Sequence, residues 1–367
     1  MTSAPLNPFF FLLLFPLALL ATEAPDVRPV VRIGIAVPVT GNMAHVGESI
    51  VAWEKKAAAE ISQTPTALHY EFVVEDDMSL PRQTALTVRR LVQLNKVRAF
   101  LTYTSGAGVA AAPYAENTRT PHIAIAYDSR AVAGEYSLSY IAPISDHMPP
   151  FLKLIAKRQY KKLALFMVLN STWKPALDAL HTAAADGAFE IAYEKIYEPG
   201  TRDFRLGFQM IPDDVEAVIF LSGSPEISIM GTQYCQVGPR KPLLSVGGVF
   251  ALAPDKSLFE GAIDVHSQGL FRADKMNRQL TGQPIYSTAG PSIHDEMLLF
   301  VKAYEELYRT TGRTASSEEV MRYLHGHPDW SGAIGDAHLG DDKYYHMPIA
   351  YAKIENGQLT EIPFDQL

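Results

Sequence analysis

Short apolar runs alternate with segments whose apolar residues recur at helical spacing. Val31 to Val39 reads as a strand and Glu48 to Ile61 as a helix. Tyr70 to Val74 is the next strand, followed by a helix from Pro81 to Leu94, opened by its proline. Ala99 to Tyr103, His122 to Tyr127 and Leu138 to Ile141 continue the strands, with Ala107 to Asn117 helical between the first two. This strand–helix alternation predicts a parallel sheet with helices on both faces.

The pattern then begins again. Asp146 reads as an N-cap for a helix over Met148 to Arg158, with Pro149-Pro150 in its first turn, where proline is tolerated. Strands follow at Lys162 to Val168, Glu190 to Ile196, Ala217 to Leu221 and Leu243 to Val246. Helices fall at Pro175 to Ala185, Phe204 to Ile211 and Pro225 to Gln236. Two successive series suggest two similar lobes rather than one large sheet. The tail differs: helices over Pro291 to Thr311 and Ser316 to Leu324 precede a Gly- and Asp-rich stretch. Ile349 to Ile354 and Gln358 to Ile362 flank Glu355-Asn356-Gly357, a hairpin signal.

The N-terminus changes the picture. Phe9 to Leu20 is almost wholly apolar. A bilayer span needs about 20 such residues, so the run fits the core of a secretory signal over residues 1–24. An uncleaved anchor is the alternative, because Met1 to Pro8 carries no Lys or Arg. No Cys near the leader's end marks a lipid attachment site. The rest of the chain is long for one core. Its single Cys235 forbids an internal disulfide, and a net charge of -8 without a basic stripe argues against a nucleic-acid partner. Behind an export signal, the strand ending at Thr40-Gly41 points to a secreted small-molecule binder, since open α/β sheets hold ligands at the carboxyl ends of their strands.

Several segments together resemble the type I solute-binding proteins of bacterial ABC importers, in the leucine/isoleucine/valine-binding family. They are Thr40-Gly41 with Ala44 and Gly47, and Glu75-Asp76-Asp77 with Pro81 and Gln83-Thr84-Ala85. Ser105-Gly106, Gly223-Ser224-Pro225-Glu226, Gly332 to Asp336 and Asn356-Gly357 complete the set. The resemblance implies an α/β fold of two Rossmann-like lobes with parallel sheets, joined by a three-strand hinge. Carried onto this chain, residues 25–145 plus 273–343 form lobe one, and 146–272 plus 344–367 form lobe two. It implies capture of a small molecule in the interlobe cleft by hinge closure, in the periplasm, by a monomer that serves a membrane permease.

The resemblance also points to site residues, each with a plainer alternative. Tyr103, Thr104 and Ser105 with Gly106 open a helix whose hydroxyls and free N–H groups suit a carboxylate; the alternative is an N-cap alone. Ala126, Tyr127 and Asp128 lie on the same edge. Asp128 stands near a threonine of amino-acid-binding relatives and would accept from an amine or hydroxyl, or merely close an Asx turn. Val46 takes the place of an aromatic lid, or else a core contact. Trp173 stands near a lobe-two tyrosine, or packs at the surface edge. Ser224 and Gly247 follow lobe-two strands. A carboxylate near Gly247 holds the ligand's ammonium in α-amino-acid binders; glycine cannot, so an amide, small carboxylate or aromatic compound fits as readily as an amino acid. The glycines here and at 248 serve turn geometry on the plainer reading.

Enzyme signals are thin. No phosphate loop or nucleophile elbow is present, and Ser105 has no histidine partner placed by spacing. His294 lacks a second histidine at zinc-helix spacing. His325 and His327, with Asp336 or His338, lack a firm third ligand, so surface roles are expected and no metal or cofactor. A sensory module feeding a chemoreceptor or kinase, and an exported hydrolase using Ser105, remain as alternatives.

Overall fold

The computed structural model describes residues 26–367; the expected secretory leader lies outside them. Five strands, β1 (Val30–Val37), β2 (His69–Asp76), β3 (Ala99–Tyr103), β4 (His122–Ile125) and β5 (Ser137–Ser139), form a wholly parallel sheet in the order β2-β1-β3-β4-β5. Helices α1 (Ala44–Gln63), α2 (Pro81–Gln93) and α3 (Ser105–Thr118) make its crossovers. Helix α1 starts four residues earlier than its apolar periodicity suggested. Gly47 explains why it can: a Cβ there would lie 2.0 Å from the Pro38 carbonyl oxygen, so only glycine lets the helix approach the end of β1.

The second lobe repeats the plan. Its strands are β6 (Lys162–Val168), β7 (Glu190–Tyr197), β8 (Ala217–Leu221), β9 (Leu243–Val246) and β10 (Ile263–Ser267). Its helices are α4 (Ile144–Lys157), α5 (Lys174–Ala185), α6 (Arg205–Gln209) and α7 (Glu226–Val237). Helix α4 begins at Ile144 with Pro143 as N-cap, so Asp146 sits in its first turn and pairs with His346 at 2.7 Å. Pro149 and Pro150 lie inside the helix rather than at its start. Strand β10 escaped the hydropathy pattern because Asp264, His266 and Ser267 interrupt it, yet all five of its residues are buried.

The tail returns to lobe one through α8 (Gly269–Thr281), α9 (Ala289–Thr311) and α10 (Ser317–Gly326). The Trp53 indole N–H donates to Asn277 at 2.9 Å, tying α1 to α8. A small antiparallel sheet, β11 (Asp329–Gly332), β12 (Gly335–Leu339) and β13 (Tyr345–His346), follows. The chain then crosses back, so that β14 (Ile349–Glu355) pairs antiparallel with β10 and with β15 (Gln358–Ile362), around an Asn356-Gly357 turn in which both residues have positive φ. The second sheet therefore runs β15-β14-β10-β9-β8-β6-β7.

Two hydrophobic cores result. One gathers Ile33, Phe100, Leu101 and Leu138 with Leu270, Ile293, Phe300 and Met347. The other gathers Ile144, Leu165, Phe166, Phe220, Val265 and Ile354. Neighbouring residues change core near 142–144, 265–270 and 347–349. Residues 272 and 273 lie within α8.

Candidate functional site

The carboxyl ends of the strands of both sheets face one cavity of about 430 Å³ between the lobes. That volume suits a small ligand. On the lobe-one side, β3 ends at Tyr103 and α3 begins two residues later. Thr104 between them has φ +89°, a conformation costly for a β-branched residue. Its hydroxyl caps the helix by accepting the Ala107 N–H at 3.3 Å. The Ser105 oxygen accepts the Tyr127 N–H at 3.1 Å, which leaves its own proton for another acceptor. The N–H groups of Ser105 and Gly106, the first two of the helix, have no partner among the described residues, as expected at a helix start. Ser105 and Gly106 line the cavity, so three free donors lie at its edge, at the positive end of α3.

Aromatic side chains form the walls. Tyr103 is buried and donates to Ser287 at 3.4 Å; burial pushes its phenol up. Tyr127 lies 6.3 Å from Trp173, centroid to centroid, with their planes 35° apart. Its hydroxyl donates across the cleft to the Gly247 carbonyl at 3.1 Å. Trp173, 5% exposed, stands in a short turn ahead of α5 and reaches the same glycine from lobe two. A Cβ on Gly247 would sit 3.4 Å from Ile144, Trp173 and the Tyr127 hydroxyl. Its φ is +76°, so this position is reserved for glycine by conformation more than by crowding. Met43, Ile125, Ile141 and Leu252 add apolar surface, and Ser222, Gly223 and Ser224 follow β8 on the opposite wall.

The lobe-two loop after β9 is held from behind. Asp264 accepts the N–H groups of Gly248 and Phe250, each at 3.2 Å. Burial pushes its carboxyl up to about 7 against the downward pull of those bonds. Beside it on β10, His266 lines the cavity, and a Cβ on Gly248 would fall 2.2 Å from its ring. Burial holds this imidazole down at about 4. Among the described residues, no Asp, Glu, Lys or Arg lines the cavity.

The structure brings together Tyr103, Thr104, Ser105, Tyr127, Trp173, Ser224 and Gly247 at this cavity. Three other expected residues stand elsewhere. Val46 is 1% exposed in the lobe-one core; the early start of α1 turns it inward and leaves Met43 on the cleft. Ala126 is sealed against Ala124 and Ala131. Asp128 faces an adjoining groove with Ser145, Lys174 and Tyr344. It accepts the Arg130 N–H at 3.0 Å, pairs with the Arg130 guanidinium at 2.7 Å, and receives the Ser171 hydroxyl from lobe two. Burial raises its carboxyl, but those bonds outweigh it and hold it below the usual range. It is a turn cap and a strut between lobes. His266, Met43 and Leu252 escaped sequence reasoning. The Gly247-Gly248 pair was the available signal for His266, since the second glycine is what admits the imidazole.

Away from the cleft, His338 pairs with Asp329 at 2.7 Å and His327 shares a hydrogen bond with the Tyr323 carbonyl at 2.9 Å. No group of three potential metal-ligating side chains gathers among the described residues. No described helix is long and apolar enough to cross a membrane.

A model of the family described as periplasmic binding protein matches residues 30–249, more than half of the chain. The chain belongs to the periplasmic binding protein family. Members of this family are solute-binding proteins, not enzymes. Solved structures show the same fold at low identity. A solute-binding protein of an ABC transporter from Rhodopseudomonas palustris BisB5, in complex with 3,4-dihydroxybenzoic acid, is 19% identical with a TM-score of 0.77, covering 91% of this chain and 96% of that one. A leucine-binding protein from Thermotoga maritima is 16% identical with a TM-score of 0.79, covering 92% and 100%. A branched-chain amino acid transporter substrate-binding protein from Streptococcus pneumoniae, in complex with isoleucine, is 18% identical with a TM-score of 0.73, covering 91% and 100%. A comparison with curated proteins finds no match. This periplasmic binding protein thus has the type I fold, and its α/β lobes frame the cleft described above.

Proposed function

We propose that the protein captures a small aromatic carboxylate in its cleft and, closed, delivers it to the permease of an ABC importer. The observation that carries this reading is the absence of any charged side chain among the described residues lining the cavity, opposite a cluster of three donors. A carboxylate accepts those donors and is favoured by the dipole of α3. An α-ammonium would lie in the same cavity without a counter-ion, at a desolvation cost of several kcal/mol. Tyr103, Tyr127 and Trp173 supply flat apolar surface for a ring. The benzoate-type ligand of the Rhodopseudomonas protein, on the same fold, has the same chemistry. The leader-like N-terminus supports export to the periplasm, where such capture occurs.

A thermal-shift screen tests this reading. Benzoate, hydroxybenzoates, phenylacetate, leucine, isoleucine and valine are compared. A ligand at 100 times its dissociation constant stabilises the native state by about 2.7 kcal/mol. Aromatic acids are expected to raise Tm by roughly 5 to 11 °C, taking about 2–4 °C per kcal/mol. A shift with leucine and none with any aromatic acid overturns the proposal.

A further inference from the structure

His266 is the one ionisable side chain other than tyrosine on the cavity wall among the described residues. Its protonation is set by geometry. Nδ1 lies 3.0 Å from the Ser267 carbonyl oxygen. A carbonyl only accepts, so Nδ1 carries the hydrogen and, in the neutral ring, Nε2 is a bare acceptor. Nε2 has no partner among the described residues. The residue is nonetheless 4% exposed and lines the cavity. Gly248 makes this possible: a side chain there would collide with Nε2 at 2.2 Å. From α4, the buried His147 approaches the same region, and its Nδ1 is engaged by the Pro143 carbonyl at 2.9 Å. Asp264 faces the loop's backbone N–H groups, leaving His266 as the acceptor on this part of the cavity wall.

We infer that His266 selects a ligand bearing a hydroxyl group, which donates to Nε2 from the ring opposite the carboxylate. The inference rests on the aromatic-carboxylate reading above and narrows it to hydroxylated aromatic acids. A neutral imidazole acceptor in a cavity whose described lining carries no acid matches a neutral donor. It does not match an ammonium, which asks for several acceptors or a negative charge. A site built around a buried acceptor discriminates against the analogue lacking the donor, because that complex leaves the acceptor desolvated and unpaired.

Calorimetry on the full chain at neutral pH tests the idea with benzoate, 3-hydroxybenzoate, 4-hydroxybenzoate and 4-methoxybenzoate. At least one hydroxybenzoate is expected to bind about 10-fold or more tighter than benzoate, the range set by leaving one buried polar group unpaired. Methylation to the methoxy compound is expected to remove the gain. In His266→Phe the hydroxyl and unsubstituted acids are expected to converge, while His266→Gln, which keeps an acceptor, retains part of the preference. The ligand series on the unaltered protein stands even if a variant fails to fold. Benzoate binding as tightly as every hydroxybenzoate, or a preference that persists in His266→Phe, overturns the inference and leaves the aromatic-carboxylate reading intact. Failure of all four acids to bind overturns both.

Discussion

Ser105→Ala is the sharpest test of how the cleft holds its ligand. The wild-type hydroxyl oxygen is occupied by the Tyr127 N–H at 3.1 Å, so its proton is directed elsewhere, and the cavity holds the place for an acceptor. Removing the hydroxyl deletes one of three donors to a carboxylate; the N–H groups of Ser105 and Gly106 stay. A hydrogen bond to a charged group contributes about 1.5–3 kcal/mol. At about 1.4 kcal/mol per decade, the dissociation constant is expected to rise by about 10- to 150-fold. The change should appear mainly as faster release, as is usual for contacts at the bound ligand. The Tyr127 N–H also loses its acceptor, so Tm is expected to fall by roughly 2–4 °C for about 1 kcal/mol. Calorimetry and stopped-flow fluorescence, with Trp173 as reporter, measure both parts. Benzamide serves as the control, since its neutral head should lose less than a carboxylate does. Affinity for aromatic acids that stays within twofold in Ser105→Ala would refute the seating of the carboxylate at α3. Steady turnover of hydroxybenzoate esters that vanishes in this variant would instead make Ser105 a nucleophile.

Three further outcomes are expected. Trp173→Ala should weaken aromatic-acid binding by about 10- to 150-fold in calorimetry, given about 1.5–3 kcal/mol for a buried apolar side chain, while Trp173→Phe stays close to wild type. Gly47→Ala should lower stability by about 1–3 kcal/mol in urea titration, because its new methyl meets the Pro38 carbonyl oxygen, a backbone atom that cannot swing away. Acidification from pH 7 to 5 should destabilise the fold through His122, His147 and His266, which burial holds down at about 3, 4 and 4. Their unfolded counterparts take up protons near 6.5, so each loses up to about 2 kcal/mol at pH 5. Asp264 at about 7, and Glu296, whose carboxyl burial raises, act oppositely: their contribution declines as pH rises. Urea titrations of His122→Asn at both pH values isolate the His122 part.

The two-lobed plan was legible because strands such as β3, β6 and β8 are continuous apolar runs that begin and end where the hydropathy changes. β10 was not legible, since Asp264 within it is satisfied by backbone N–H groups of the neighbouring loop, and composition cannot show that. The same blindness hid His266. Ser105 and Trp173 could be read from their places just beyond strands. Val46 and Asp128 could not, because one turn of helix or one ion pair decides which way a side chain near a cleft points. Arg130, two residues on, is what turns Asp128 away.

The struts across the cleft mouth have a consequence for delivery. Tyr127 to Gly247, and Asp128 with Arg130 to Ser171, join the lobes through the protein's own groups. In the closure proposed above they would favour the shut form whatever the ligand is, and so raise the fraction of molecules already shut. Apparent affinity scales with the fraction of molecules in the binding-competent state. The strut of Asp128 and Arg130 with Ser171, which lies outside the cavity lining, would therefore act as a dial on retention time that leaves the pocket untouched: tighten it and the cargo is scavenged from thinner supplies but surrendered more slowly. A permease that pries Asp128 from Ser171 would empty the cleft without ever touching the ligand.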